Sequence, residues 1–357
     1  MDVERMIAAF DAEVPIERAW TPPSSWYTSE AFRAAEQCAV IKRAWQPVAR
    51  LLDLAESGSF ISGTLAGEPW VVVRQDDGSL AAFHNTCRHK GREVVQGAGR
   101  ADELVCGYHG WTYGPDGALK SAPGMAGVEN FDRDAMCMPP LAVEEWGPWA
   151  CLNLEPAAIP VADTMAVVAE VLGTDPWADL TFRAARTWTV ECNWKVVVDN
   201  YLDGGYHVPH MHQGLAASLD MATYETEIRG EACVQTVAPA GGGNVRIGES
   251  ARYLWLHPNL MLNRYGPFLD VNLVVPLGVG RCEVRYEFFA EPGVGEGFLA
   301  NSMEQSAQVQ REDTAICESV QRGLASTGYE SGRYAPRLEI GEHLFHRLLH
   351  RDLVAGF

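Results

Sequence analysis

The sequence has no apolar run long enough to cross a bilayer. Apolar stretches such as residues 70–73 and 271–277, the latter with its Asn272, fall far short of the roughly 20 residues that a membrane-spanning helix needs. The N-terminal segment mixes acidic and basic residues with apolar ones and lacks the charged-then-apolar order of a secretory signal peptide. We therefore expect a soluble, cytoplasmic protein that is not exported.

Positive charge and a disulfide framework are also lacking. Lys and Arg total 28 against 47 Asp and Glu, which gives a formal charge of −19. Such a surface repels phosphate backbones, so nucleic acid is not an expected partner. The nine Cys are odd in number and scattered, which indicates free thiols in a reducing compartment rather than a set of disulfides.

The length of 357 residues and the 47% apolar content predict two packed domains. Residues 1–40 carry prolines between two short helical patterns and are interpreted as a lead-in that docks elsewhere. Residues 41–155 alternate short β-rich runs with turn signals such as Asp76-Asp77-Gly78, which predicts a small all-β domain. Residues 156–357 mix long strands with helices, which predicts an antiparallel sheet with packed helices. The fold class is therefore α+β.

Two Cys–His pairs carry the clearest chemical signal. A Cys-x-His at 87–89 is followed, after 16 intervening residues, by a Cys-x-x-His at 106–109. Zinc sites also use two Cys and two His, so the count alone does not choose the metal. The Cys-x-His spacing is too tight for a zinc knuckle, whereas two loops with one thiolate and one imidazole each suit a binuclear iron–sulfur cluster.

The residues around these pairs resemble the Rieske cluster loops of ring-hydroxylating and related oxygenases. The resemblance implies an N-terminal all-β Rieske domain followed by a catalytic domain. It also implies a Rieske 2Fe-2S cluster, with the ligands Cys87, His89, Cys106 and His109.

A second metal pattern lies in the later part of the chain. Three His stand close together at 207, 210 and 212, after a run that contains carboxylates. Two of them match two thirds of a 2-His-1-carboxylate triad, which leaves open positions on Fe(II) for oxygen and substrate. The resemblance implies that His207 and His212 are the ligands and that His210 lies beside the site. It also implies Asp313 as the third ligand, with Glu312 as the alternative.

Catalytic roles beside the iron fall to Asn200 and Asp203 by the same resemblance. In many members of that family, an acid three residues before the first ligand His links the cluster of one subunit to the iron of its neighbour. Gly204 occupies this position here, which is a departure from the pattern. Asp203 is expected to act in its place, and Asp199 is the alternative.

Residues 199–209, 258–267, 332–336 and 343–346 resemble the choline monooxygenase family. That family hydroxylates choline, and its relatives demethylate betaines or oxidise carnitine. The resemblance implies a monooxygenase that hydroxylates a carbon of a quaternary ammonium substrate. Aromatic faces hold such a cation best, at about 0.5–2 kcal/mol per ring. The candidate cage residues are Tyr206, Tyr253, Trp255, Tyr265 and Phe268.

The resemblance also implies partners. These are dioxygen, a homotrimer of the chain, and an electron donor that is either a flavin and iron–sulfur reductase or a ferredoxin. Basic residues beside the cluster loops are a candidate docking site for an acidic donor, namely Arg88, Lys90, Arg92 and Arg100.

Two other interpretations stay open. The same metal motifs suit the alpha subunit of an aromatic-ring hydroxylating dioxygenase, which a flat apolar pocket would indicate. A non-catalytic electron carrier would hold only the cluster, and the second metal pattern argues against it.

Overall fold

The computed structural model describes residues 2–242 and 244–356. Contacts between residues define two compact units. One comprises Ile41–Thr164, and the other joins the residues up to Val40 to those from Met165 onward. Residues 156–164 therefore lie, by their contacts, in the unit that holds the cluster motif, and the predicted limits 1–40, 41–155 and 156–357 stay a prediction.

The N-terminal segment folds into α1 (Val3–Ala8), α2 (Ser25–Thr28) and α3 (Glu30–Ala39). The hydroxyl of Ser29 caps α3 by accepting a hydrogen bond from the amide of Phe32 at 3.3 Å. The buried residues of α3 are Phe32, Glu36 and Ala39, which the helical period places on one face. A carboxylate on a buried face needs a partner of opposite charge, and Lys195 provides one for Glu36.

The unit Ile41–Thr164 is mainly β-structure. Its elements are β1 (Gln46–Arg50), β2 (Ser59–Leu65), β3 (Glu68–Arg74), β4 (Leu80–His84), β5 (Ala98–Arg100), β6 (Leu104–Val105), β7 (Thr112–Tyr113), β8 (Leu119–Ser121), β9 (Pro140–Trp146), β10 (Trp149–Asn153) and α4 (Val161–Thr164). The larger sheet has the antiparallel order β1-β10-β9-β4-β3-β2-β5, and β6-β7-β8 form a separate small sheet.

The core of this unit lies directly beneath the cluster motif. Val71 and Val73 are fully buried on β3, where β-branched side chains pack well. They belong to the same hydrophobic cluster as Cys87, Cys106 and Trp111. The sheet therefore gives both cysteine loops a rigid, apolar base.

The other unit is an antiparallel sheet with helices. After α5 (Ala166–Leu172), its elements are β11 (Thr181–Val190), α6 (Trp194–Leu202), α7 (Val208–Met211), α8 (Gln213–Ala216), β12 (Leu219–Arg229), β13 (Ala232–Pro239), β14 (Ala251–Leu256), β15 (Leu260–Tyr265), β16 (Phe268–Gly278), β17 (Arg281–Ala290), α9 (Glu296–Leu324) and α10 (Ile340–Gly356). The strand order is β11-β17-β16-β15-β14-β13-β12. The predicted α+β class is confirmed.

Helix α6 lies between this sheet and the other helices. It contacts β16 and β17 as well as α9 and α10. The register places Asn272 of β16 opposite Met261 of β15 and Tyr286 of β17, so these three side chains share one face of the sheet. Among the described residues, no helix is both long enough and apolar enough to span a membrane.

Candidate metal centres and substrate cavity

The cluster motif forms two loops with the same turn. In each loop, the amide of the glycine four residues after the cysteine donates to the cysteine carbonyl, at 2.9 Å from Gly91 to Cys87 and at 3.0 Å from Gly110 to Cys106. Both glycines have a φ of 73°, a conformation that other residues adopt only with strain. The repeated turn explains why a glycine follows each Cys–His pair.

The residues predicted to hold the cluster fit its donor set. The thiols of Cys87 and Cys106 are buried and free. The rings of His89 and His109 lie 4.6 Å apart, and Trp111 stacks on His89 at 5.1 Å. The Nδ1 atom of His89 is buried without a hydrogen-bond partner among the described residues. An orphaned imidazole nitrogen beside reduced, buried thiols is what a Cys₂His₂ iron–sulfur site requires.

Tyr113 completes the apolar base of this site. Its hydroxyl donates to the sulfur of Cys87 at 3.5 Å and accepts from the amide of Arg88 at 2.9 Å. Burial, and then Cys87, raise the pKa of Tyr113, so its hydroxyl stays protonated. A hydrogen bond to a ligand sulfur is one of the means by which proteins set the potential of an iron–sulfur cluster.

The residues predicted to bind the catalytic iron meet at one point. The Nε2 atom of His207 lies 3.1 Å from Nε2 of His212 and 3.7 Å from Oδ1 of Asp313. The distance from Nε2 of His212 to the same carboxylate oxygen is 3.0 Å. Two imidazoles from the segment around α7 and one carboxylate from α9 therefore form the donor set of a 2-His-1-carboxylate Fe(II) site.

Each imidazole of this triad is held through its other ring nitrogen. Nδ1 of His207 contacts Asp203 at 2.6 Å, and Nδ1 of His212 contacts Glu312 at 2.6 Å. A carboxylate at Nδ1 fixes the ring and leaves Nε2 for a metal. Burial lowers the pKa of His212, but Asp313 and Glu312 together raise it to about 9, so the site favours positive charge. Glu312, the alternative ligand, thus contacts the opposite ring nitrogen.

The backbone explains why Asp203 faces the triad in place of residue 204. Gly204 has a φ of 71°, and a side chain there would collide with the carbonyl of Leu338. Asp203, at the C-terminal end of α6, accepts hydrogen bonds from the amides of Tyr206 at 3.1 Å and His207 at 2.9 Å. The carboxylate is therefore fixed beside the first ligand, and its role as a bridge between subunits stays a prediction.

The other residues predicted near the iron lie in different places. Asn200 donates from Nδ2 to Oδ1 of Asp313 at 2.9 Å, which orients the carboxylate. Asp199, the alternative bridge, instead accepts a hydrogen bond from the hydroxyl of Tyr27 at 2.8 Å. His210 is exposed and does not join the triad.

The triad opens onto a cavity between the helices and one face of the sheet. Its empty volume, which includes space open to solvent, is about 790 Å³, within the range of small-molecule sites. The lining residues are Val197, Asn200, Tyr201, His207, Val208, His212, Leu215, Leu219, Tyr224, Gln235, Tyr253, Met261, Asn263, Asn272, Val284, Tyr286, Val309, Gln310 and Asp313. Among these described residues there is no lysine or arginine.

Of the aromatic residues predicted to form a cage, Tyr253 lines this cavity. Trp255 lies on the same face of β14 but farther along the strand, where its ring packs on Phe345 of α10 at 5.5 Å. Tyr206 is 52% exposed and does not line the cavity.

Tyr265 and Phe268 also lie outside the cavity. Both are buried in a hydrophobic cluster against which Tyr253 of the cavity packs, and Phe298 of α9 packs on Phe268 at 5.3 Å. The hydroxyl of Tyr265 donates to Asp270. Strand alternation gives the face of the sheet on which a residue lies, but not the position of the covering helices along it.

Three tyrosines that the sequence analysis did not select line the cavity with Tyr253. Their hydroxyls each donate to a side-chain amide oxygen, at 2.7–3.0 Å, in the pairs Tyr201–Asn263, Tyr224–Gln235 and Tyr286–Gln310. Burial raises the pKa of Tyr253 to about 12 and those of the other three well above the ordinary value. All four rings are therefore neutral near pH 7. The alternation of side chains along a strand could have suggested Tyr286, because it lies opposite Asn272 and so faces the same side of the sheet.

Comparison with known proteins gives one matching family for the part of the chain with the cluster motif and another for the part with the triad. Residues 44–132 match the Rieske [2Fe-2S] domain, and residues 177–354 match the ring hydroxylating alpha subunit (catalytic domain). The chain is 42% identical to the chloroplastic choline monooxygenase of Arabidopsis thaliana, over 99% of this chain and 87% of that protein. It is 32% identical to the carnitine monooxygenase oxygenase subunit of Acinetobacter pittii, over 92% of this chain and 91% of that protein.

A solved structure is similar along the whole chain. It is a quaternary ammonium Rieske monooxygenase, studied for carnitine oxidation and inter-subunit electron transfer, and it superimposes with a TM-score of 0.82 at 29% identity. The match covers 99% of this chain and 98% of that one.

The fold and the two sets of candidate metal ligands are those of a Rieske-type non-haem iron oxygenase, and the chain belongs to the ring-hydroxylating alpha subunit family. Its relatives within that class include choline monooxygenases and the oxygenase subunits of carnitine monooxygenases. The predicted family and its two cofactors, a Rieske 2Fe-2S cluster and a mononuclear iron, are confirmed.

Proposed function

We propose that this chain is the oxygenase component of a monooxygenase that hydroxylates a small quaternary ammonium compound, with choline as the favoured substrate. The observation that carries this proposal is the composition of the cavity beside the triad. Four tyrosine rings line it, and no lysine or arginine does so among the described lining residues.

These features suit a cation that carries no acid group. A trimethylammonium group has no N–H to donate, so its attraction to the faces of aromatic rings is the main interaction that the cavity offers. A carboxylate in the same cavity would find no lysine or arginine to pair with and would lie near Asp313. Choline carries a hydroxyl and no carboxylate. Glycine betaine has a carboxylate in place of that hydroxyl, and carnitine has a carboxylate in addition to a hydroxyl, which is why we favour choline.

The residues around the cavity have distinct tasks. When bound, the cluster supplies electrons and the iron activates dioxygen for insertion into a C–H bond. Asp203 and Glu312 hold the two imidazoles, and Asn200 holds Asp313. The tyrosine rings bind the ammonium and keep water away from it. The residues that would bind the iron are His207, His212 and Asp313, and those that would bind the cluster are Cys87, His89, Cys106 and His109.

An aromatic-ring hydroxylating dioxygenase is the second candidate, and the cavity favours it less. A flat aromatic hydrocarbon needs an apolar slot, whereas this cavity carries the amide side chains of Asn200, Gln235, Asn263, Asn272 and Gln310. Buried amides that meet an apolar ligand lose hydrogen-bonding partners, which weakens binding.

The proposal is tested with the purified, iron-loaded protein and a Rieske-type reductase. Oxygen uptake and product mass are measured with choline, glycine betaine, carnitine and naphthalene. With choline we expect uptake coupled to the aldehyde hydrate, one oxygen atom heavier than choline, or to the aldehyde that this hydrate forms on loss of water. Turnover of glycine betaine and carnitine should be weaker. Absence of coupled uptake with every quaternary amine, or a dihydroxylated naphthalene product, would refute the proposal.

We also propose that an acidic reductase or ferredoxin docks beside the cluster loops. Arg88, Lys90 and Arg92 are exposed there, next to the exposed His109. Arg100, the fourth predicted docking residue, instead pairs with Glu56 at 2.8 Å. Reversing Lys90 and Arg92 to Glu should raise the donor concentration needed for half-maximal rate. An unchanged concentration would exclude this docking site.

The assembly and the compartment are proposed on separate grounds. A homotrimer is supported by the inter-subunit electron transfer of the solved relative. A reducing, cytoplasmic location is supported by the nine cysteines, all of which are free thiols in the structure.

A further inference from the structure

One polar side chain in the cavity stands apart from the rest. The amide of Asn272 is 4% exposed, and its Oδ1 atom is buried with no hydrogen-bond partner among the described residues. By contrast, Gln235 accepts from Tyr224 and donates to the carbonyl of Tyr201 at 2.9 Å. A buried amide without a partner is costly, and few native residues are left in that state.

Asn272 also has a defined place relative to the reacting centre. It lies on β16, directly opposite Tyr286 of β17, on the face of the sheet that lines the cavity. The hydroxyl of Tyr286 donates to Gln310, which stands three residues before Asp313 on α9. Asn272 therefore belongs to the sheet side of the cavity, while the triad belongs to its helix side.

We propose that Asn272 binds the hydroxyl of the substrate and thereby selects choline over quaternary amines that carry a carboxylate in place of that hydroxyl, such as glycine betaine. This inference rests on the proposed function and adds a specificity-determining residue to it. A hydroxyl both donates and accepts, so it can satisfy either half of the Asn272 amide. The tyrosine rings hold the ammonium end at the same time, and the two contacts fix the carbon that bears the hydroxyl.

The same amide disfavours a carboxylate. A carboxylate can only accept hydrogen bonds, so it would leave Oδ1 of Asn272 unpaired and repelled. It would also bring a negative charge to a cavity that offers no lysine or arginine among its described lining residues.

The test compares choline with ethyltrimethylammonium, which lacks only the hydroxyl. Dissociation constants for both are measured by calorimetry on the iron-loaded protein, and KM and kcat are measured for choline. In Asn272→Leu, which removes both hydrogen-bonding groups at similar volume, we expect choline to bind about tenfold more weakly, the size of one neutral hydrogen bond. Binding of ethyltrimethylammonium should stay the same or improve.

Met261→Leu is the matched control. Met261 lies opposite Asn272 on β15 and lines the same cavity, but it has no hydrogen-bonding group to lose. This variant should change the affinities for both ligands by the same factor. Asn272→Asp keeps an acceptor and nearly the same shape, and it should retain the preference for choline. This variant still tests the inference if the leucine variant does not fold.

The outcomes separate this inference from the proposed function. If the wild-type protein binds neither ligand, the proposed function fails. If it binds both ligands and Asn272→Leu weakens both by the same factor, the assignment of Asn272 is wrong while the proposed function stands. Loss of the preference for choline in Asn272→Leu alone supports the inference.

Discussion

Asp203 and Glu312 fix the iron site because each contacts the Nδ1 atom of one ligand imidazole at 2.6 Å. Sequence spacing could suggest Asp203, which stands four residues before His207. It could not assign Glu312, because only the fold brings the later helix to His212, 100 positions earlier. The choice between two adjacent acids of α9 depends on which ring nitrogen each one meets.

The first prediction concerns Asp203. In Asp203→Asn the side chain can still accept hydrogen bonds from the backbone, but it no longer carries the charge that orients His207. Choline-dependent turnover should fall by about 10- to 100-fold while cluster content stays normal. Single-turnover oxygenation with reduced protein measures the loss of activity, and metal analysis measures the cluster content. Asp179→Asn changes an exposed aspartate that does not line the cavity and is the control. Normal single turnover in Asp203→Asn would remove Asp203 from this role.

Asp270 provides a pH-dependent prediction. Burial raises its pKa to about 6, although Tyr265, Arg246 and Ser306 partly oppose the shift. A raised pKa in the folded state means that the folded protein binds this proton more tightly than the unfolded chain does. The contribution of Asp270 to the free energy of unfolding is therefore fully present below the unfolded pKa of about 4 and is lost as the pH rises to about 6. Ionised Asp270 therefore destabilises the fold at neutral pH, by up to about 3 kcal/mol.

Replacing Asp270 with Asn removes this titration and keeps an acceptor for the hydroxyl of Tyr265. The stability of Asp270→Asn relative to wild type should rise between pH 4 and 6 and stay level above pH 6. Denaturant unfolding at pH 4, 5, 6 and 7.5 gives the difference. Asp179→Asn changes an exposed aspartate and is the control. A stability difference between Asp270→Asn and wild type that does not vary with pH would show that the pKa of Asp270 is not raised into this range.

Among the elements, α6 links the N-terminal segment to the triad. Lys195 near its start is fully buried and pairs with Glu36 of α3 at 2.6 Å. Trp194 donates to the other oxygen of Glu36 at 2.8 Å. The far end of the same helix carries Asn200 and is followed by Asp203. The N-terminal lead-in therefore holds the helix that positions the catalytic groups.

We predict that removing one partner of this buried pair destabilises the protein by about 3–5 kcal/mol, because the other charge is left without compensation. Burial lowers the pKa of Lys195, and Glu36 opposes that shift. Lys195→Met and Glu36→Gln should each lower the free energy of unfolding by this amount in equilibrium denaturation. The double variant should recover most of it, because the amide introduced by Glu36→Gln still accepts from Trp194. A double variant as unstable as the worse single variant would contradict this account.

The elements also show where sequence reasoning stopped. The side chains that the structure brings together at each centre could be named from the sequence, the Cys–His pairs from their spacing and the triad from the family resemblance. The cage could be predicted only for Tyr253. Trp255 and Phe268 lie on the correct face of the sheet, yet α10 and α9 cover them. Which stretch of a strand stays uncovered depends on tertiary packing, as does the ion pair between Glu36 and Lys195, which stand 159 positions apart.

At the scale of the whole molecule, each chain carries both sets of ligands in separate compact units. The cluster residues belong to the unit Ile41–Thr164, and the triad belongs to the unit that continues from Met165. In the solved relative, electron transfer was studied between subunits. If the proposed homotrimer works in the same way, the two centres that cooperate belong to different copies of the chain.

Mixed oligomers decide this last prediction. Cys87→Ser removes a cluster ligand, His207→Ala removes an iron ligand, and each variant alone should be inactive. When the two variants are co-expressed at equal amounts with different tags, about a quarter of the wild-type activity per chain should return. In a ring of randomly mixed copies, about half of the chains carry an intact triad, and about half of their neighbours carry an intact cluster. A route within one chain predicts no recovery. The control mixes wild type with the double variant, where a route within one chain retains about half of the activity and a route between copies again about a quarter.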